Sequence, residues 1–483
     1  MSLRFRPWLV VAAFGVLLLA SPARAQCPVE GCREYLGKGT RGSYFRILVP
    51  ENWDGDLFLV NHGLELDELT IAPHNACRAQ VTKACTVDAD CAGIGPGVCN
   101  KISMLGFEQF LPMGKAVAAS TFSQIGWAAF QSRFDLKDVI RFMRSRRGPG
   151  RPKRVIVTGP SGGGAVTVDA TMRLEPGKWI HGALPYCSAS AGGLPTVDTA
   201  TDIRLVYDYL CDDVPGGRLE SPPDVGDPNH STSDQLQFAL TVNTCLGVLF
   251  PSSDPVEAAA QGERLATFRE LTRFPTGGFP VVHVLGFSVF AMGDFVHDRE
   301  RLHGRRPGWN TTADYARVLG GPEAAAFAAA VERLRRGPGR SKMRRNTEID
   351  FTRGPGGRVD YPILSFSGRD DYIALPEFQK LYHDAARIGG KDHVMIWGSA
   401  PGHCNFTPFE MRAVVEEYLE WLDSYGTCDE DEPTGEEVLA RCLGLPGASP
   451  AKCNFDTGFE PGALRDRLPA RPDWPEAGLH PQR

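Results

Sequence analysis

Residues 155–163 read Val-Ile-Val-Thr-Gly-Pro-Ser-Gly-Gly. The run 155–158 is short, apolar and β-branched, which is typical of a strand covered on both faces of a sheet. Glycines surround Ser161, and a turn this sharp between a strand and a helix tolerates only small neighbours. The stretch therefore predicts a buried strand, a tight turn that exposes Ser161, and a helix whose N-terminal dipole favours negative charge at the serine.

Strand and helix patterns alternate on both sides of this stretch. Strands are predicted at 43–49, 57–61, 115–120, 180–185, 363–366 and 394–397. Helices are predicted at 136–143, 376–387 and 411–422, and apolar stripes at helical spacing mark the first and the last of them. Such alternation indicates an α/β fold, with a mostly parallel sheet and helices on both faces. Residues 195–358 interrupt the alternation with Pro, Gly, aromatics and a predicted helix over 322–336. We interpret this block as a cap.

The remaining segments complete the domain organisation. Residues 1–25 have a basic start, an apolar run and small residues before position 26, which predicts a signal peptide cleaved after Ala25 and a secreted or periplasmic protein. The α/β core is expected over 26–194 and 359–426, with a Cys-rich insertion at about 64–111. An extension follows over 427–483, and its last twenty or so residues are expected to be poorly ordered. No stretch after residue 25 is expected to span a membrane.

Composition excludes some classes of protein. The chain has 52 Lys and Arg against 58 Asp and Glu, a net charge of −6, so a general nucleic-acid binder is disfavoured. Apolar residues make up 42% of the chain, which is globular usage rather than that of disorder.

All 13 cysteines follow residue 25, and in an exported protein most should form disulfides. Cys77, Cys85, Cys91 and Cys99 predict two bridges inside the insertion, with three possible pairings. Tail cysteines can pair locally, which leaves a core set of Cys187, Cys211, Cys245 and Cys404. Cys404 is expected to be bridged, with Cys187 as the preferred partner. The alternative is a buried, reduced thiol.

A serine nucleophile needs a base, and the base needs a carboxylate to orient it. His403 follows the strand at 394–397, in the loop before the last core helix, and is the candidate base. Asp370 and Asp371 follow the strand at 363–366. Adjacent side chains point in different directions, so one of them can meet the imidazole, and the spacing from Gly368 favours Asp371.

A tetrahedral intermediate needs two N–H donors. The candidates are the amide of Gly162, directly after the serine, and the amide of Leu64, in the loop after the strand at 57–61. His62 lies in the same loop and is interpreted as a structural residue of the turn. The alternative is that His62 acts as the base for Ser161.

In this order along the chain, HG at 62–63, GPSGG at 159–163, SGRDD at 367–371 and GHC at 402–404 resemble a secreted serine hydrolase of the α/β-hydrolase superfamily. The resemblance covers about 43–190 and 360–425. It implies a Ser161-His403-Asp371 triad, no cofactor, no metal, and hydrolysis of carboxylic esters or sometimes amides and lactones. Small-molecule or polymer-linked esters are the implied partners, without nucleic acid or stable membrane insertion.

A narrower resemblance is to the tannase and feruloyl-esterase family, which joins a cysteine before the catalytic serine to one after the catalytic histidine. Cys404 matches the second position, but Pro160 occupies the first. The other functions considered are a peptidase or amidase on the same scaffold and a non-catalytic secreted binding protein. The cap aromatics could form the cap's own core or line an apolar pocket; they are Phe274, Phe279, Phe287, Phe290, Phe295 and Trp309.

Overall fold

The computed structural model describes residues 28–66, 68–229, 231–273, 279–298, 302–347, 361–428, 431–472 and 474. The predicted signal peptide, Phe274 and residues 475–483 lie outside the described residues.

An eight-stranded sheet forms the centre of the fold. Its strands in chain order are β1 (Arg33–Lys38), β2 (Tyr44–Val49), β3 (Asp56–Val60), β4 (Ala116–Ser120), β5 (Arg154–Pro160), β6 (Gly182–Tyr186), β7 (Ile363–Gly368) and β8 (His393–Gly398). They lie side by side in the order β1-β2-β4-β3-β5-β6-β7-β8. β2 is antiparallel to β1 and β4, and all neighbours from β4 to β8 are parallel. This order, with β2 reversed, is that of the α/β-hydrolase fold, as the resemblance predicts.

The seven predicted strands are confirmed, with their ends shifted by a residue or two. β1 was not predicted, because this edge strand consists of exposed and half-buried residues and has no apolar run. In contrast, every residue of β3, β4, β6 and β7 is buried. Strands covered on both faces give the continuous apolar signal that the sequence carries.

The helices of eight or more residues are α1 (Ala129–Met143), α2 (Ser161–Arg173), α3 (Gly193–Cys211), α4 (Thr232–Leu246), α5 (Pro255–Thr272), α6 (Phe279–Gly286), α9 (Gly321–Ala330), α10 (Arg340–Thr347), α11 (Pro376–Ile388), α12 (Pro408–Ser424) and α13 (Gly435–Gly444). Shorter ones are α7 (Met292–His297), α8 (Tyr315–Leu319) and α14 (Leu464–Arg467). One face of the sheet packs on α1, α2 and α11, and the other on α12, α13 and a 3₁₀ helix at Phe107–Met113. Buried side chains on both faces form the core that fixes the sheet.

Helices α3 to α10 lie between β6 and β7 and share a separate apolar core. Within it, α6 continues through a π-helical turn (Phe287–Ala291) into α7. The combined stretch Phe279–His297 is long and apolar enough to cross a membrane, so the expectation that no such stretch follows residue 25 was wrong. Since 67% of its most apolar window is buried inside the protein, it has the character of a core helix.

The predicted helix over 322–336 is shorter than expected. α9 ends at Ala330, and the chain turns to an extended conformation at Val331. Asn310 holds this extended stretch, because its side chain accepts a hydrogen bond from the Leu334 amide at 2.6 Å and its carbonyl accepts one from Arg333 at 3.2 Å. Tertiary hydrogen bonds therefore override the local helix pattern.

Two disulfides staple the Cys-rich insertion, and two more lie in other parts of the chain. Cys77 pairs with Cys91 and Cys85 with Cys99, which confirms two bridges in the insertion and selects one of the three pairings. The other two are Cys211–Cys245 and Cys442–Cys453. Cys428 is exposed and free, in keeping with the odd cysteine count.

Helices α3 to α10 are called the helical segment below. The chain from Leu464 to Arg471, together with Trp474, packs into the core of this helical segment, and we call it the C-terminal segment. The expectation of poor order was wrong for these residues, since Leu464, Leu468 and Trp474 are buried in the core shared by α3 to α10. The side chain of Arg471 is fully buried and binds the Asp202 carboxylate of α3 at 2.6 and 3.0 Å. A composition rich in proline and arginine predicts a poorly ordered tail. Here the side chains of Leu464, Leu468, Arg471 and Trp474 instead contact residues that are distant in sequence.

Candidate active site

The turn after β5 exposes Ser161 at the first position of α2. Its φ of 51° lies in the left-handed region, which is strained for a residue with a side chain. The neighbouring glycines permit the turn: a Cβ on Gly159 would lie 2.4 Å from the carbonyl oxygen of Asn61, and one on Gly163 only 2.2 Å from it. The sequence G-x-S-x-G is thus required by the close approach of β3 to this turn.

His403 reaches the same point from the loop between β8 and α12. Its Nε2 lies 2.9 Å from the Ser161 Oγ, and its Nδ1 lies 2.8 Å from Oδ2 and 3.0 Å from Oδ1 of Asp371. The structure therefore brings together the three side chains that the sequence singled out. The hydrogen-bonded chain runs from carboxylate to imidazole to hydroxyl, although the residues are up to 242 positions apart.

Asp371 and Asp370 have different surroundings. The Asp371 carboxylate is buried, and its Oδ1 also accepts the backbone N–H groups of Ile373 and Ala374, both at 2.9 Å. Asp370 is partly exposed and lies 3.2 Å from the Arg369 guanidinium. Only Asp371 of this pair has the imidazole as its hydrogen-bond partner, because one residue along a turn reverses the side chain's direction.

The loop after β3 passes directly beside the serine. A Cβ on Gly162 would lie 2.9 Å from the Leu64 nitrogen, so the backbones of Gly162 and Leu64 are in close approach. Gly162 is in the first turn of α2, where amides have no acceptor within the helix. His62 turns away from this point: its Nδ1 is 2.8 Å from the Gly63 carbonyl oxygen, and its ring packs on Phe122 with centroids 4.2 Å apart.

Cys187 and Cys404 form a disulfide, with Cα atoms 5.2 Å apart, which confirms the preferred pairing. Cys187 directly follows β6 and Cys404 directly follows His403, so the bridge joins the two loops at the carboxyl edge of the sheet. The Cys404 sulfur lies 3.5 Å from the His403 Nε2. The bridge consequently restrains the loop that carries the imidazole.

Two side chains beside the triad were not singled out from the sequence. His283 on α6 lies with its Nδ1 3.3 Å from the Tyr372 hydroxyl, and the ring centroids are 5.8 Å apart. Partial loss of hydration lowers the pKa of His283, and the nearby His403 lowers it further. Burial raises the pKa of Tyr372, and the Asp371 charge adds to the effect. Both groups are therefore biased toward their neutral forms, and no motif marks either of them.

The predicted cap aromatics divide between the two interpretations. Phe290 is buried in the helical core, and Phe279 is exposed. Phe287 and Phe295 line an apolar cleft that also includes Leu64. Trp309 lies under the guanidinium groups of Arg336 and Arg340, 5.3 and 5.2 Å from its ring centroid. Some of the cap aromatics therefore belong to the core of the helices, as Phe290 does, and others line an apolar cleft, as Phe287 and Phe295 do.

Among the described residues, one group of possible metal ligands comes within 4.8 Å of one another: the sulfurs of Cys77, Cys85 and Cys91. All three are engaged in disulfides. Since a metal binds the thiolate form, these sulfurs do not fit an ion while they are oxidised.

Comparison with known proteins gave matches to solved structures alone. No protein-family model matches the chain, and no curated protein does. An esterase from Aspergillus oryzae is 12% identical with a TM-score of 0.40, over 83% of this chain and 88% of the other. Candida antarctica lipase A is 13% identical with a TM-score of 0.38, over 86% of each chain. An acylaminoacyl peptidase from Pyrococcus horikoshii is 8% identical with a TM-score of 0.38; this chain spans 44% of its length.

Proposed function

We propose that this protein is an exported serine hydrolase that cleaves carboxylic esters through an acyl-enzyme on Ser161. The observation that carries the proposal is the hydrogen-bonded chain Ser161–His403–Asp371, with spacings of 2.9 and 2.8 Å. Ser161, Asp371 and His403 lie at the carboxyl edge of the sheet, after β5, β7 and β8 in that order, where α/β enzymes assemble their sites.

Ser161 Oγ attacks the ester carbonyl carbon while its proton passes to Nε2 of His403. Asp371 accepts the Nδ1 proton in a hydrogen bond and stabilises the imidazolium. The tetrahedral intermediate then breaks its bond to the alcohol oxygen, which takes the proton from His403. Water repeats the sequence on the acyl-enzyme, releases the carboxylic acid and restores the serine.

The amides of Leu64 and Gly162 stabilise the oxyanion in this scheme. Two features support this assignment: the close approach of the two backbones, and the position of Gly162 in the first turn of α2, where amides have no acceptor within the helix. Removing one such donor typically costs about 10²–10³-fold in turnover. His62 has no part in the scheme, because it is directed to the Gly63 carbonyl.

Export is supported by the oxidised cysteines. The described residues contain the five disulfides Cys77–Cys91, Cys85–Cys99, Cys187–Cys404, Cys211–Cys245 and Cys442–Cys453. Such density is characteristic of oxidising compartments. The basic and apolar pattern of residues 1–25 agrees with it.

The test is covalent labelling by a fluorophosphonate probe together with ester turnover. Wild-type protein should be labelled and should hydrolyse p-nitrophenyl butyrate, and Ser161→Ala should lose both while remaining folded. Ser145→Ala, on an exposed residue, is the matched control and should behave as wild type. Retained turnover in Ser161→Ala overturns the proposal. Turnover of the matching p-nitroanilide as fast as that of the ester overturns the ester preference.

A further inference from the structure

We infer that the apolar cleft beside Leu64 binds the acyl group of the substrate, and that it selects a slim, unbranched and uncharged alkyl chain. The inference rests on the proposed function, because it takes Ser161 as the nucleophile.

One wall of the cleft is the N-terminal half of α3. This wall presents small side chains or none at Gly193, Thr196, Val197 and Ala200. These positions are spaced so that they share a helix face. α3 begins six residues after Cys187, at the same edge of the sheet as the triad. Because these side chains are small, they leave the space of the cleft open beside α3.

The opposite wall is the helix that runs from α6 through the π-helical turn into α7. It contributes Phe287, Ala291, Met292 and Phe295. The π-helical turn covers Phe287–Ala291, and its first and last residues line the cleft. Single π-helical turns are frequently found at functional sites, since they cost hydrogen-bond geometry and re-aim side chains. This irregularity is an observation independent of the cleft's apolar character.

Leu64 and Trp127 close the cleft on the side of the sheet. The Trp127 ring contacts Phe295 edge-on, with centroids 5.4 Å apart, so this contact closes the cleft where the two rings meet. Leu64 is the residue whose amide is assigned to the oxyanion. The cleft therefore begins within one residue of the reacting carbonyl.

The positions of the donors decide which part of the substrate enters. At the carbonyl carbon, the oxygen faces the amides of Leu64 and Gly162. The leaving oxygen must face His403 Nε2 in order to take up its proton. The remaining substituent, the acyl chain, is left on the side of the Leu64 side chain, where the cleft lies.

The cleft's chemistry and size define the acyl class. Among the described residues that line it, none is ionised, so a charged acyl group would lose its hydration without a partner. The volume of the cleft is about 20 Å³, little more than room for one water molecule, so its walls stand close together. Space of this kind is narrow, and it fits a chain of methylene groups better than a branched or ring-shaped group.

The experiment compares two isomeric esters, p-nitrophenyl valerate and p-nitrophenyl pivalate, with the benzoate and acetate. Rates are expressed per fluorophosphonate-labelled site and divided by the hydroxide-catalysed rate of each ester. Valerate should exceed pivalate, benzoate and acetate in kcat/KM by about tenfold or more, the range that a pocket gives for a methylene-sized difference. Equal or higher values for pivalate or benzoate overturn the inference.

Ala291→Phe fills the cleft from the π-helical turn and should lower the valerate-to-acetate ratio by about tenfold or more. Ala200→Val, a smaller change on the other wall, should lower the ratio in the same direction and covers the case in which Ala291→Phe does not fold. Ala326→Phe, at an exposed position of α9, is the matched control and should leave the ratio unchanged. An unchanged ratio in both cleft variants overturns the inference while leaving the hydrolase proposal intact. A wild-type protein that neither takes the probe nor cleaves any ester defeats the hydrolase proposal instead.

Discussion

Asp370 and Asp371 are neighbours in sequence, yet their carboxylates have separate partners. Asp371 accepts bonds from two backbone amides and from His403, whereas Asp370 faces Arg369 and water. The local turn holds the Asp371 carboxylate in place, because its Oδ1 accepts hydrogen bonds from the amides of residues 373 and 374. The backbone amides of residues 373 and 374 orient the Asp371 carboxylate, and this carboxylate in turn orients the His403 imidazole.

We predict that Asp371→Asn lowers kcat/KM for a p-nitrophenyl ester by about 10³-fold or more, because an amide cannot hold the imidazole in the required tautomer. Asp370→Asn is the matched control and should stay within a few-fold of wild type. The measurement is steady-state turnover per labelled site. The reverse ranking would show that the acid is Asp370.

At the residue scale the sequence was informative because the chemistry depends on short motifs. Ser161 and His403 could be singled out since a tight turn and a loop after a strand leave readable patterns. The lining of the apolar cleft could not be predicted. Trp127 and Val197 are ordinary apolar residues until helices distant in sequence pack around them, and Ala291 reaches the cleft through a π-helical turn that no composition marks.

Among the structural elements, the Cys187–Cys404 bridge links the loop after β6 to the loop after β8. Both cysteines have positive φ values, 38° and 54°, so each loop is held in a backbone conformation that side chains disfavour. Because the bridge holds the two Cα atoms 5.2 Å apart, a displacement of one loop must also displace the other. The Cys211–Cys245 bridge joins α3 to α4 within the helical segment and contains neither loop.

We expect the double variant Cys187→Ala/Cys404→Ala to lose roughly 2–4 kcal/mol in free energy of unfolding, because the bridge closes a loop of over two hundred residues. Its turnover per labelled site should also fall, by up to about 10²-fold, since small displacements of His403 misalign the proton transfer. Cys211→Ala/Cys245→Ala serves as control and should lose stability without that loss of turnover. Denaturant unfolding and ester kinetics measure the two effects. Equal kinetic effects in the two variants would contradict the restraint of the His403 loop.

Element prediction succeeded for buried strands and failed where long-range contacts decide. The strands of the parallel sheet were readable because their residues are apolar on both faces. The end of α9 was missed because Asn310, in a different part of the chain, binds the backbone that follows. The edge strand β1 gave no apolar signal, since water covers much of it.

For the whole molecule, buried ion pairs connect the C-terminal segment to the helices above the site. On α3, the Asp198 carboxylate accepts a hydrogen bond from Arg340 at 2.8 Å. The Asp202 carboxylate accepts one from Arg471 at 2.6 Å. Trp474 donates to Asp198 as well. Breaking such a pair from one side strands a charge in the interior, which is far more costly than the pair's net contribution.

Replacement of Arg471 by Met should therefore lower the free energy of unfolding by about 3–5 kcal/mol. Arg465→Met, on the exposed side of α14, is the matched control and should be nearly neutral. Thermal or denaturant unfolding gives both values. Equal, small losses in the two variants would mean that water reaches Asp202 and that the network is not closed.

The position of the C-terminal segment also bears on how the chain can be made. Asp198 and Asp202 leave the ribosome roughly 270 residues before Arg471 and Trp474 do. Throughout that interval the helical segment lacks the cation and the indole that complete its interior. A nascent chain can complete its sheet once residue 398 has emerged, but it cannot close the core of its helical segment until residue 474 has emerged. A message cut short near its end would thus yield a protein with every triad residue present and an interior left unfinished.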